Sequence, residues 1–249
     1  MTGAKGRKNL ANRRGFMALG LAILGFPRAG TAAGDAGQPA PAATPPQRAR
    51  LPKRLAADFH GHIESRLPHL RAPFESAARD TGLSWRVLAA LGYQESRWTP
   101  AAVSNRGAQG VMMLMPETAK KMGVKNVFSP DENIMAGARY LAYLRGRIPH
   151  RIRDPDRTWL AMAAYNIGIG HLEDARIITQ MRKKNPDRWS DVRVNLPRLS
   201  DPHWHTKVKR GYANGKETVQ FVEREAQFSA ILESAVPDKD VPRAVASAR

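Results

Sequence analysis

From residue 72 onward the apolar positions recur at helical spacing, and no stretch shows the strict alternation of a half-buried strand. Pro73 starts a short helix over 73–81 that Gly82 stops, and Ser84 is a good N-cap for a helix over 85–97 that Pro100 keeps from running on. Pro116 begins another, which ends before Gly123. Asp131 opens a long helix in which Ile134, Ala138, Leu141, Leu144 and Ile148 recur at steps of 4, 3, 3 and 4. Asp154-Pro155 is a cap followed by a first-turn proline, leading a helix over 159–165. A helix over 171–184 ends before Pro186, and one over 216–232 carries Phe221, Phe228 and Leu232 at steps of 7 and 4. The pattern predicts an all-α domain over 72–235, preceded by a basic N-terminal extension at 51–71 with one helix and followed by a flexible tail at 236–249.

The first 33 residues do not look like part of a fold. Lys5, Arg7, Lys8, Arg13 and Arg14 precede an apolar run at 15–26, and small residues follow at 29–33. That is the three-part pattern of an export signal. Arg13-Arg14 before Gly15-Phe16-Met17 resembles the twin-arginine variety; a general secretory signal is the other reading. Residues 34–50 are rich in Ala, Pro and Gly and read as a disordered linker. An exported protein at the periplasm or cell envelope is expected.

Composition narrows the chemistry. The 249 residues contain no cysteine, which excludes disulfides, a Cys-ligated metal and a thiol nucleophile. The net charge is +18; loss of the leader removes six basic and no acidic residues and leaves +12. Such a surface can be drawn to anionic envelope surfaces, or it can simply be a solvated basic face. His60-x-His62 and His203-x-His205 do not have the spacing of a helical metal pair, so no metal or other cofactor is expected. Arg, Lys and Trp mix at 180–205, as in some nucleic-acid surfaces. The leader argues against a cytoplasmic nucleic-acid partner.

One acid stands out. Leu88, Leu91 and Glu95 share a helix face, so the carboxyl projects from apolar surroundings near a helix C-terminus. Desolvation and the negative end of the helix dipole both favour its protonated form, as a general acid requires. A Glu paired with Arg97 or another basic residue is the structural alternative.

Around Glu95 the sequence resembles a known family. Gln94-Glu95-Ser96-Arg97-Trp98, the segment Asn105-Arg106-Gly107-Ala108-Gln109-Gly110-Val111-Met112-Met113-Leu114-Met115-Pro116, Asn133-Ile134-Met135-Ala136-Gly137, and Ala163-Ala164-Tyr165-Asn166 with Gly168 and Gly170 are similar, in order and spacing, to the motifs of lytic murein transglycosylases with a lysozyme-like fold. The resemblance implies cleavage of the MurNAc–GlcNAc bond of peptidoglycan with closure of a 1,6-anhydro ring. It makes Glu95 the single catalytic residue and assigns substrate binding to Ser96, Gly110, Met112, Met113, Met115, Tyr165 and Asn166. Met113 stands where the common pattern has Gln, as in a membrane-bound branch of the family whose N-terminal ligand-binding domain this chain lacks. Phe221 stands where Tyr is frequent and reads as packing. Peptidoglycan strands are the implied partner, with no nucleic acid and no stated oligomeric state. A lysozyme that uses water on the same fold, or a non-catalytic wall-binding module, are the alternatives.

Overall fold

A computed structural model of the chain describes residues 51–237; the expected leader, linker and most of the tail lie outside them. Among the described residues ten α-helices follow one another: α1 Lys53–Ser65, α2 Leu67–Thr81, α3 Trp85–Ser96, α4 Pro116–Lys121, α5 Pro130–Arg147, α6 Asp156–Ile167, α7 Ile169–Met181, α8 Trp189–Asn195, α9 Pro202–His205 and α10 Gly215–Ala235, with a 3₁₀ turn at Leu196–Ser200 before α9. Among the described residues no strand forms; two isolated antiparallel bridges, Val103 with Gln109 and Gln109 with Leu114, lie in one loop.

The middle of the molecule is α3. Leu88, Ala89, Ala90 and Leu91 are all fully buried, so this helix is apolar on every side, as an element enclosed by others must be. It lies against α10 and α2, while α6 packs on α5, α7 and α10. Short side chains at Ala161, Ala163 and Ala164 in α6 let its neighbours come close. The periodic positions read in α5, Ile134, Ala138, Leu141, Leu144 and Ile148, all face this core.

Two sequence expectations are corrected and one is refined. Pro73 does not begin α2 but lies inside it, with Pro68 in its first turn. Leu67, Leu70, Phe74 and Ala77 form one buried face across that proline, and their burial outweighs one missing backbone hydrogen bond. Ser84 is the N-cap residue of α3, as expected, but caps it through its carbonyl, which accepts from the Leu88 amide at 3.0 Å, and not through its side chain. Side-chain caps are made at α5, where Ser129 accepts from the Glu132 amide, at α9 by Asp201 and at α10 by Asn214. Finally, 51–71 is no appendage. Phe59 is fully buried, with ring centroids 4.4 Å from Tyr93, 5.5 Å from Trp98 and 4.5 Å from Phe228.

The span from 189 to 205 also folds. Trp189, Val192, Leu196 and Leu199, spaced by three and four, are all buried under α7 and α10. Arg198 of this span, with Arg182 before it and Lys207 after it, gathers over the half-buried ring of Trp204 at 5.5, 5.9 and 5.2 Å respectively.

Candidate active site

Glu95 is the last residue but one of α3 and is half-buried. The chain then turns sharply, with Arg97 and Trp98 at φ of 55° and 57°, a left-handed conformation that residues with a Cβ seldom adopt. Tertiary bonds hold it. The Trp98 indole N–H donates to the Ala89 carbonyl at 2.8 Å, and the Arg66 guanidinium donates to the Arg97 carbonyl at 2.8 Å and to Thr99 Oγ1 at 3.0 Å. The following loop is thereby folded back beside the acid.

That loop carries the glycines and methionines. Gly110 has φ of 80° and donates its amide to the Ala102 carbonyl at 2.9 Å. A Cβ there would fall 2.3 Å from Asn133 Nδ2 and 2.6 Å from the Val127 carbonyl, so only glycine fits. Ser96 Oγ donates to the Val111 carbonyl at 2.8 Å, fastening the end of α3 to the loop. Met113 takes φ of 48° and, like Met115, is half-exposed.

Met112 differs from the expectation for it. Its side chain is fully buried, with Cβ built on Gly137 falling 2.6 Å from it and Cβ built on Gly92 falling 3.2 Å from its sulfur. Two close-packed helices thus leave it a slot between them, and its thioether belongs to the core rather than to a groove. What Met112 offers the site is its backbone: the Tyr165 hydroxyl donates to its carbonyl at 2.9 Å.

Tyr165, near the end of α6, completes the cluster. Burial first, then the negative charge of Glu95 and the neighbouring Tyr140 push its phenol well above the ordinary range, so it remains a neutral donor at all physiological pH. The Tyr140 ring lies 5.4 Å away. Asn166 follows, its Oδ1 accepting from Thr218 Oγ at 2.8 Å, which links α6 to α10. Because Thr218 is buried, Thr218→Val should lower stability by about 1 kcal/mol and the melting midpoint by about 2–4 °C, measurable by calorimetry. Phe221, on the same helix, is buried at 3% exposure, as packing requires.

The structure therefore gathers Glu95, Ser96, the Gly110–Met113 backbone and Tyr165, with Asn166 beside them. Sequence reading left Arg66, Asn133 and Thr218 without roles. Their signal was weak: each acts by bonding backbone or a neighbour across the fold, and no local spacing encodes that. Among the described residues no group of three or more His, Asp or Glu is placed to hold a metal ion.

Known proteins are similar to this chain in sequence and fold. Residues 72–187 match the Transglycosylase SLT domain family. Proteins named membrane-bound lytic murein transglycosylase F are similar: that of Marinobacter nauticus is 46% identical over 76% of this chain and 38% of its own length, and that of Saccharophagus degradans is 49% identical over 70% of this chain and 35% of its own. The chain thus spans little more than a third of these relatives. Among solved structures, an inactive mutant of lytic transglycosylase Slt from Pseudomonas aeruginosa superposes with a TM-score of 0.50 at 24% identity, covering 72% of this chain and 28% of that one. The 70 kDa soluble lytic transglycosylase of Escherichia coli gives the same TM-score at 21% identity, over 73% of this chain and 28% of its own. The helical domain has the lysozyme-like fold, and by its sequence match the chain belongs to the Transglycosylase SLT domain family.

Proposed function

We propose that the protein is a peptidoglycan lytic transglycosylase that cuts the MurNAc–GlcNAc β-1,4 bond and leaves a 1,6-anhydro end. The observation that carries this reading is the placement of Glu95, half-buried at the end of α3 and close enough for its charge to act on Tyr165. The protonated Glu95 carboxyl donates its proton to the glycosidic oxygen as the C1–O bond breaks with oxocarbenium character. The carboxylate then takes the proton of the C6 hydroxyl of the same muramic acid, whose oxygen bonds to C1. No water enters and Glu95 ends protonated as it began. A glycosidase of the ordinary kind needs a second carboxylate as nucleophile or base. Here the nucleophile is tethered to the reacting carbon, and such proximity is worth about 7–11 kcal/mol in the best-oriented cases.

Ser96 and Gly110 shape the loop that would face the sugar, Met113 and Met115 offer polarizable half-exposed surface to it, and Asn166 braces Tyr165. The basic leader and the +18 charge support an exported protein at the envelope, attracted to anionic surfaces. The relatives' names also speak of membrane-bound enzymes. Among the described residues no helix is long and apolar enough to cross a membrane.

Digestion of purified peptidoglycan followed by mass spectrometry tests the reaction. Released muropeptides should be one water lighter than those a lysozyme yields. Products of hydrolytic mass would establish the lysozyme reading, and binding without release would establish the wall-binding module.

A further inference from the structure

Asn133 lies in the first turn of α5 and has no exposed surface. Its side chain is fully bonded to loop backbone. Oδ1 accepts from the Met112 amide at 2.7 Å, and Nδ2 donates to the Gln109 carbonyl at 3.1 Å and to the Val127 carbonyl at 2.9 Å. Three backbone groups from two loops thus converge on one buried amide. The Gln109 carbonyl also accepts from the Leu114 amide at 2.9 Å, but the Met112 N–H belongs to a fully buried residue and would lose its acceptor, and a buried group left so is costly.

One of those contacts leads on to the site. Met112 receives Asn133 at its N–H and presents its C=O to the Tyr165 hydroxyl at 2.9 Å. Tyr165 in turn senses the charge of Glu95. We infer that Asn133 is a positioning residue for the reaction: by fixing Met112 it sets where the Tyr165 hydroxyl is held beside Glu95. This inference rests on the transglycosylase reading of the site. The packing agrees with a clamp that tolerates no play. Gly110 has no room for a Cβ against Asn133, and Gly137, one turn further along α5, has none against Met112. The loop is held between α5 and α3 on both sides of the residue that accepts the tyrosine hydrogen bond.

A purely structural asparagine and a positioning one differ in a double-mutant cycle on the full chain, with turnover and half-saturating wall concentration measured separately. Asn133→Ala should melt cooperatively and lower turnover on the order of 10- to 100-fold, because a displacement of about 1 Å at a catalytic centre can cost that much, with half-saturation nearly unchanged. In a Tyr165→Phe background the same substitution should cost no more than about threefold, since the group it positions is gone. If Asn133→Ala does not give a cooperative melt, Asn133→Ser, which keeps an oxygen, takes its place in the cycle. Equal losses in both backgrounds, a loss confined to half-saturation, or full activity of Tyr165→Phe alone would overturn the inference. Failure of the underlying reading looks different: the unaltered protein would then release no anhydro products.

Discussion

Glu95→Gln releases no soluble muropeptides while still melting cooperatively and sedimenting with the cell wall. The amide has the size and shape of the carboxyl, so the half-buried end of α3 and its bonds through Ser96 should persist. What it lacks is a proton to give and a basic oxygen to retrieve one. General acid–base groups typically contribute about 10²–10⁴-fold, and in the proposed reaction both halves pass through the same carboxyl group. The loss should therefore lie at the upper end of that range. A second, independent signal accompanies it. The charge of Glu95 is one of the causes that lift the Tyr165 phenol, so its removal should lower that titration, while burial keeps it above the ordinary range. Ultraviolet difference titration reads the shift. A variant that digests peptidoglycan at the parent rate would place the acid elsewhere.

Replacing Glu225 with leucine should stabilise the protein. This residue is fully buried on α10, and among the described residues neither carboxyl oxygen has a hydrogen-bond partner. Its surroundings include the apolar face formed by Phe221, Val222, Ala226 and Phe228. Burial pushes its carboxyl well above the ordinary carboxylate range. The native state thus keeps a proton that the unfolded chain releases above a pKa of about 4.3. Between those two values the folded form binds more protons, and stability falls as pH rises. The contribution of this group is complete below about pH 4.3 and diminishes continuously toward neutrality and beyond. Leucine removes both the slope and the unmet polar atoms, a gain of about 1–3 kcal/mol at neutral pH and about 2–4 °C per kcal/mol in melting midpoint. Glu225→Gln should gain less, because its amide still lacks partners. Calorimetry from about pH 5 to about pH 8 checks this. A Leu variant with an unchanged midpoint and the same slope would show that the carboxyl carries no such penalty.

Local spacing made much of this molecule legible. The five periodic residues of α5 all reached the core, and Leu88 and Leu91 placed Glu95 on a helix as expected. Where reading stopped short, the missing information was tertiary. Pro73 looked like a helix start because its cost is local, whereas the burial of Phe74 and Ala77 that offsets it comes from the rest of the fold. Met112 looked like groove lining because its flexible neighbours Met113 and Met115 share its chemistry; only Gly92 and Gly137, far apart in sequence, create its buried slot. Asn133 was visible as part of a family-like motif but not as a clamp, since its partners Gln109, Met112 and Val127 come from the two loops before its helix. Trp189, Val192, Leu196 and Leu199 did carry a helical period, obscured by the basic residues interleaved with them.

The aromatic knot around Phe59 sets a lower limit on any working fragment. The family match begins at residue 72, yet trimming to that point would strip the cover from Tyr93, Trp98 and Phe228 and remove the arginine that steadies the left-handed elbow after the acid. A piece cut there would expose a sticky hollow on the back of the helix that bears the chemistry. Biochemistry on this protein should therefore begin upstream of α1, because a shortened version could be inert for reasons unrelated to the proposed catalysis.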